Sequence, residues 1–154
     1  MSKELKVKKI RNGTVIDHIP PGRAMDIIKI LNVNMEEDTV LIAVNVDSSK
    51  MGKKDIIKIE GKLLERDEVD KVAIVAPEAT VNIIKDYEVV KKFKVKPPET
   101  VEGVIKCPNP NCITNDEREP VRTRFVLESD DPPVYRCEYC ERLVEADRLP
   151  DLIR

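Results

Sequence analysis

The 154-residue chain has no tryptophan and no glutamine, one histidine and five glycines, and aromatic residues make up only 3% of it. With so few aromatics the core must be mostly Val, Ile and Leu, and the 41% hydrophobic content suffices for that. No apolar run approaches the ~18 residues needed to cross a bilayer. The charged start, MSKELKVKKI, lacks the apolar stretch of a signal peptide, so a cytoplasmic location is expected. Neither charge sign is in excess: 27 basic residues face 29 acidic ones, for a net charge of −2. The chain thus lacks the basic surplus with which proteins capture DNA or RNA. It also lacks both glycine-rich phosphate loops, G-x-x-x-x-G-K-[ST] and G-x-G-x-x-G. Any phosphate site must therefore rely on lysines acting as point charges. A single histidine and no Ser-His-Asp arrangement leave little for acid–base or nucleophilic chemistry. A binding or regulatory protein fits better than an enzyme.

What is present is charge, at 36% of residues, largely Lys and Glu, a composition resembling that of heat-adapted proteins. Residues 5–10 and 13–19 (GTVIDHI) are rich in β-branched residues, with a tight-turn signal at Asn12-Gly13 between them. Pro20-Pro21-Gly22 ends the second strand and opens a helix carrying Ala24, Ile27, Ile28 and Leu31 on one face. Strands are predicted over 39–46 and 54–60, and a second helix over 66–75, with Val69, Val72 and Ala73 inward. Asp67 and Glu68 near its start complement the helix dipole. Residues 79–95 give one or two further strands. Without the first short strand the order is β-α-β-β-α-β. The expected class is therefore α+β: a ferredoxin-like split βαβ domain with an antiparallel sheet and both helices on one face. Lys96-Pro97-Pro98-Glu99 reads as a semi-rigid linker. It separates an N-terminal domain (1–96) from a small β domain (97–154) that needs a metal staple.

All four cysteines lie in the second part. Cys107-Pro-Asn-Pro-Asn-Cys112 is a C-x4-C knuckle, and Cys137-Glu-Tyr-Cys140 a C-x2-C knuckle. Each presents two thiolates from one turn, and together they close a tetrahedron with no position left for water or substrate. One structural zinc per chain is expected. Rubredoxin-like iron uses the same ligands, and a redox C-x2-C pair or four incidental cysteines are the remaining alternatives. Lys54 and Lys58, four apart on one strand, share a face. Taken singly, His18 reads as a structural histidine, the two lysines as a solvated strand face, and Lys91-Lys92 as a charged edge.

Five segments, GTVIDHIP (13–20), MGKKDIIKIE (51–60), ATVNIIKDYEVV (79–90), CPNPNCIT (107–114) and CEYC (137–140), occur in this order. Together they resemble the aspartate carbamoyltransferase regulatory chain over about residues 7–145. The resemblance implies a non-catalytic allosteric subunit of the enzyme that begins pyrimidine synthesis. Its N-terminal domain would dimerise with that of a second regulatory chain and bind CTP as inhibitor or ATP as activator at one site. Six such chains would join six catalytic chains, the zinc domain providing the docking surface. The implied nucleotide contacts are Ile10, Asp17, His18, Lys58, Asn82, Ile84, Tyr87, Val89 and Lys92. Lys58 and Lys92 would meet phosphates, and Ile10 and Ile84 the base. Asn109, Asn111, Glu141 and Arg142 match positions facing the catalytic chain. Lys91, where a small residue is familiar, Arg142, where Lys is common, and segments 20–38 and 145–154 depart from the pattern.

A zinc-ribbon nucleic-acid binder is the competing reading, but it requires a basic stripe and stacking aromatics; the chain offers two Phe and three Tyr in an acidic balance. A zinc-stapled enzyme is the third.

Overall fold

The computed structural model describes residues 9–31 and 33–153. Most of the strand expected over 5–10 lies outside them; Lys9 and Ile10 have no regular structure. Thirteen elements follow in sequence. The first seven are β1 (Gly13–Ile19), α1 (Ala24–Ile30), β2 (Thr39–Ser48), β3 (Gly52–Glu60), α2 (Arg66–Val75), β4 (Thr80–Lys85) and β5 (Glu88–Lys94). Then come β6 (Thr100–Glu102), a 3-10 turn (Ile113–Asn115), β7 (Arg124–Asp130), β8 (Pro133–Cys137), β9 (Leu143–Val144) and α3 (Leu149–Leu152).

The first sheet has the order β2-β3-β1-β4-β5 and is antiparallel throughout. β1 and β2 run parallel with β3 between them, and β3 and β4 run parallel with β1 between them, which is the split βαβ arrangement. β5 is added at the edge beyond β4. Strand alternation gives the sheet two chemically different faces. On one, Ile16, Ile57, Ile59 and Val81 pack with Ala24, Ile27 and Ile28 of α1 and Val72 and Ala73 of α2 in a common core. The helices cover this face only, so the other stays open.

Local details explain how the helices start. Asp55, fully buried on β3, accepts backbone N–H bonds from Gly22 (2.9 Å) and Ala24 (3.1 Å) at the beginning of α1, and from Asn45 (2.8 Å) on β2. A tertiary carboxylate thus caps a helix that lacks a side-chain cap of its own. In α2, Asp67 and Glu68 stand in the first turn as expected, and Glu68 closes a capping box with Glu65. Glu68 is buried, accepts the Glu65 N–H (3.1 Å) and lies 3.3 Å from the Lys62 ammonium. Lys71 of α2 is half-buried.

The second sheet, β6-β7-β8-β9, is a smaller antiparallel unit. Its core of Val101, Ile105, Phe125, Tyr135, Val144 and Leu149 is continuous with three of the cysteines. Ile74 of α2 inserts into this second core, and Ile153 packs against both cores. The buried Tyr135 hydroxyl donates to the Pro98 carbonyl (2.7 Å), tying the second sheet to the proline linker. Burial pushes the Tyr135 phenol up, as does the neighbouring Asp70 carboxylate of α2. No helix among the described residues is long and apolar enough to cross a membrane.

Candidate functional site

Backbone register determines what the open face of the first sheet displays. Cross-strand partners Leu41, Lys58, Val15, Asn82 and Lys92 form one row across all five strands. Directly opposed residues in antiparallel strands project to the same side, so Lys58, Asn82 and Lys92 share this face. The next row, Val40, Ile59, Thr14, Ile83 and Lys91, projects to the helix-covered side. Lys91 therefore does not reinforce Lys92. Its ammonium lies 5.5 Å from the centroid of the Phe93 ring, on the opposite surface.

A cavity of about 480 Å³ lies on the open face, lined by Ile10, Asp17, Lys58, Asn82, Ile84, Tyr87 and Val89 of the expected set. Lys9, Val15, Ile56 and Glu88 also line it and were missed from sequence. Val15 and Ile56 were legible from strand parity; Lys9 and Glu88 gave no signal. His18 and Lys92 do not line it but adjoin it, Lys92 through its pairing with Asn82.

The two ends of this region differ. At one, β1 carries a bulge between Ile16 and Ile19, and His18 takes a left-handed φ of 58°. The Asp17 carboxylate accepts the His18 N–H (2.6 Å) and pairs with the Lys54 ammonium (3.0 Å). The His18 ring Nδ1 lies 2.9 Å from the Thr80 hydroxyl. Burial lowers the His18 pKa below its ordinary value, Asp17 opposes this, and Lys54, Lys50 and Lys92 add to it. Burial likewise lowers that of Lys58, against Asp17 and with Lys9. The gathering of these cations, Lys54 held by Asp17, on one part of the sheet suits a polyanion. At the other end, Asp86 and Tyr87 form the β4–β5 turn with φ of 50° and 67°. That turn is fastened to the first strand's approach by Tyr87 N–H to Arg11 carbonyl (2.9 Å) and Asp86 N–H to Asn12 Oδ1 (3.1 Å). A tyrosine held in left-handed backbone is uncommon. Here it sets the 58%-exposed Tyr87 beside Ile10, Ile84 and Val89, an apolar seat.

The cysteines meet in the second sheet. Cys107 Sγ lies 3.6 Å from Cys140 Sγ, Cys112 Sγ 3.8 Å from Cys137 Sγ, and all four sulfurs fall within 4.8 Å of one another. Disulfide sulfurs lie ~2.05 Å apart, so these are free thiols. A tetrahedron with Zn–S bonds of ~2.3 Å has S···S edges of about 3.8 Å, and the set fits one zinc. Burial pushes the Cys107 and Cys137 thiols up. Burial also works against the Cys140 thiolate, yet the Arg142 N–H, the Asn109 side chain and the neighbouring thiols bring it down to about 7. Asn111, Glu141 and Arg142 are exposed around the knuckles and Asn109 half-buried, with Ile113, Tyr139 and Leu143 exposed among them. A larger depression of about 710 Å³ beside the first knuckle carries Lys106, Asp116, Glu117, Arg148 and Asp151. Its mixed charges provide no apolar seat of the kind found on the first sheet.

Comparison with known proteins bears on both halves. Residues 5–96 match the family model described as aspartate carbamoyltransferase regulatory chain, allosteric domain, and residues 99–149 match the metal binding domain of the same chain. The chain belongs to the aspartate carbamoyltransferase regulatory chain family. The match includes segment 20–38, one of the two that depart from the expected pattern. The regulatory chain of Methanopyrus kandleri is 63% identical over 150 residues, covering 97% of this chain and 96% of the relative. That of Thermofilum pendens is 52% identical over 155 residues (99% and 98%), and that of Pyrococcus horikoshii 53% over 148 (95% and 96%). This chain is accordingly a regulatory subunit and not a catalytic one, with one structural zinc in its metal-binding part.

Proposed function

We propose that the open-face cavity of the first sheet binds CTP, which inhibits, or ATP, which activates, at one shared site. The chain would then pass the effect to the catalytic chains of aspartate carbamoyltransferase at the start of pyrimidine synthesis, in the cytoplasm. The observation that carries this reading is the polarity of the region. An apolar seat (Ile10, Ile84, Tyr87, Val89) fits a base, Lys58 and Asn82 fit the middle of a nucleotide, and Lys92 with His18 and Asp17 stands at a cationic end suited to phosphates. The division of labour is 1–96 for effector binding and dimerisation and 97–154 for docking. Asn109, Asn111, Glu141 and Arg142 would face the catalytic chain. The effector biases the assembly by its differential affinity for two quaternary states; a coupling of ~1–3 kcal/mol corresponds to roughly 5- to 150-fold in affinity. The route runs through α2, whose Ile74 is buried in the second core.

Calorimetric titration tests the site. CTP and ATP should compete for one site per chain. Lys92→Ala should weaken both by ~1.5–3 kcal/mol, about ten- to a hundredfold, through loss of a charge-assisted phosphate contact. Lys29→Ala, exposed on the helix-covered side, is the control. Equal losses for both substitutions would reduce Lys92 to a solvated edge charge.

A further inference from the structure

The C-x4-C knuckle has a structural problem that the C-x2-C knuckle does not share. Pro108 and Pro110 remove two N–H donors from the six residues between and including Cys107 and Cys112. In the folded knuckle the Asn111 N–H turns to the Asn109 side chain (3.0 Å) and the Cys112 N–H to the Asn109 carbonyl (3.0 Å). The Asn109 N–H also bonds the Cys107 sulfur, so the loop's own bonds meet at Asn109, and among the described residues none of them joins Cys107 directly to Cys112. An outside donor links the two. The Asn115 amide nitrogen donates to the Cys107 carbonyl (2.9 Å) and to the Asn109 carbonyl (2.7 Å), using both hydrogens of its NH2 group. The Asn115 backbone N–H also donates to the Cys112 carbonyl (2.9 Å). One residue is therefore tied to both metal ligands of the knuckle and to its midpoint. The 3-10 turn Ile113–Asn115 directly after Cys112 aims the side chain back across the loop.

We propose that Asn115 is the positioning residue for the C-x4-C half of the zinc site, holding Cys107 and Cys112 at the separation the metal requires. It touches no metal; it acts through the carbonyls of the ligand-bearing loop. Two carbonyl oxygens facing one group demand a double donor, which only the amide NH2 supplies at this length. Asn115→Asp keeps the shape and turns the donor into an acceptor.

The test uses the full zinc-loaded chain challenged with excess EDTA, with release followed by a chromogenic zinc chelator. Outer-shell partners of metal ligands typically contribute 10–100-fold to metal affinity, so Asn115→Asp should release zinc at least about tenfold faster. Cobalt substitution provides a second readout: the thiolate-to-cobalt and d–d bands of Asn115→Asp should shift or broaden relative to wild type. Glu117→Gln, exposed two residues on, should match wild type in both. Should Asn115→Asp fail to fold, Asn115→Ala, which deletes both donors without adding charge, is judged by the same criteria. Wild-type release with an unchanged cobalt spectrum would overturn the proposal, as would equal acceleration in the Glu117→Gln control.

Discussion

Asp55 shows how much one side chain can determine in this chain. It is buried, and its carboxylate gathers three backbone N–H groups from two separate segments, Gly22 and Ala24 at the start of α1 and Asn45 on β2. Ile19, at the end of the β1 bulge, is its cross-strand partner, and Lys54, one residue earlier, holds Asp17 on the opposite face. Removing this carboxylate orphans three backbone donors at once, the Ala24 bond being buried and those of Gly22 and Asn45 half-buried. Each lost partner costs ~1–3 kcal/mol, so Asp55→Ala should destabilise the first sheet by roughly 3 kcal/mol or more, read as a lower midpoint in chemical denaturation. Asp47→Ala, on an exposed part of β2, should change it by a few tenths of a kcal/mol. A small effect of Asp55→Ala would mean that water replaces the carboxylate at all three amides. Gly13 is constrained as tightly: at φ 143° a Cβ there would stand 2.1 Å from the Ile59 carbonyl oxygen, so no side chain fits where β1 begins.

At the scale of elements, periodicity was a good guide where packing obeys it. The helices at Ala24–Ile30 and Arg66–Val75 fall where the apolar stripes predict them, because a stripe one face wide has only the sheet to pack against. The Lys54/Lys58 pairing on one face followed from strand parity alone. Three features were not legible. The β1 bulge depends on contacts to Thr80 and Asp55 from elsewhere in the chain. That Lys92 and not Lys91 reaches the open face is set by the register of β5 on β4, which shifts by a bulge between Ile83 and Ile84. Strands β6–β9 are short, and their core includes cysteines that become core residues only when gathered by a metal. That last point makes a prediction for the second sheet as a unit. Structural zinc contributes apparent binding energies of ~10–16 kcal/mol, more than so small a core supplies. Chelation, or Cys137→Ala, should unfold β6–β9 while leaving β1–β5 intact, seen as loss of amide protection confined to residues after the linker in hydrogen exchange. The same variant should lose the catalytic partner. A Cys137→Ala chain that retained both the second sheet and the partner would contradict a structural role for the zinc.

For the whole molecule, the arrangement is two small cores in contact at α2. One side of that helix closes the first sheet through Val72 and Ala73, while Ile74 is buried in the core that holds the cysteines. Ile153 packs on both cores from the far end of the chain. On the proposed function, binding and transmission belong to different parts, and its central claim is that they are separable at Pro97-Pro98. The measurement that tests it most directly is a nucleotide titration of residues 1–96, with gel filtration against the catalytic chain. This fragment keeps every proposed nucleotide contact and none of the cysteines. Its five-stranded sheet and two helices form a core of their own, and it should fold without zinc although Ile74 becomes exposed. The account predicts that it binds CTP and ATP competitively with near wild-type affinity, dimerises, and does not associate with the catalytic chain. A fragment that is folded by circular dichroism but binds neither nucleotide, or one that still docks on the catalytic chain, would contradict it.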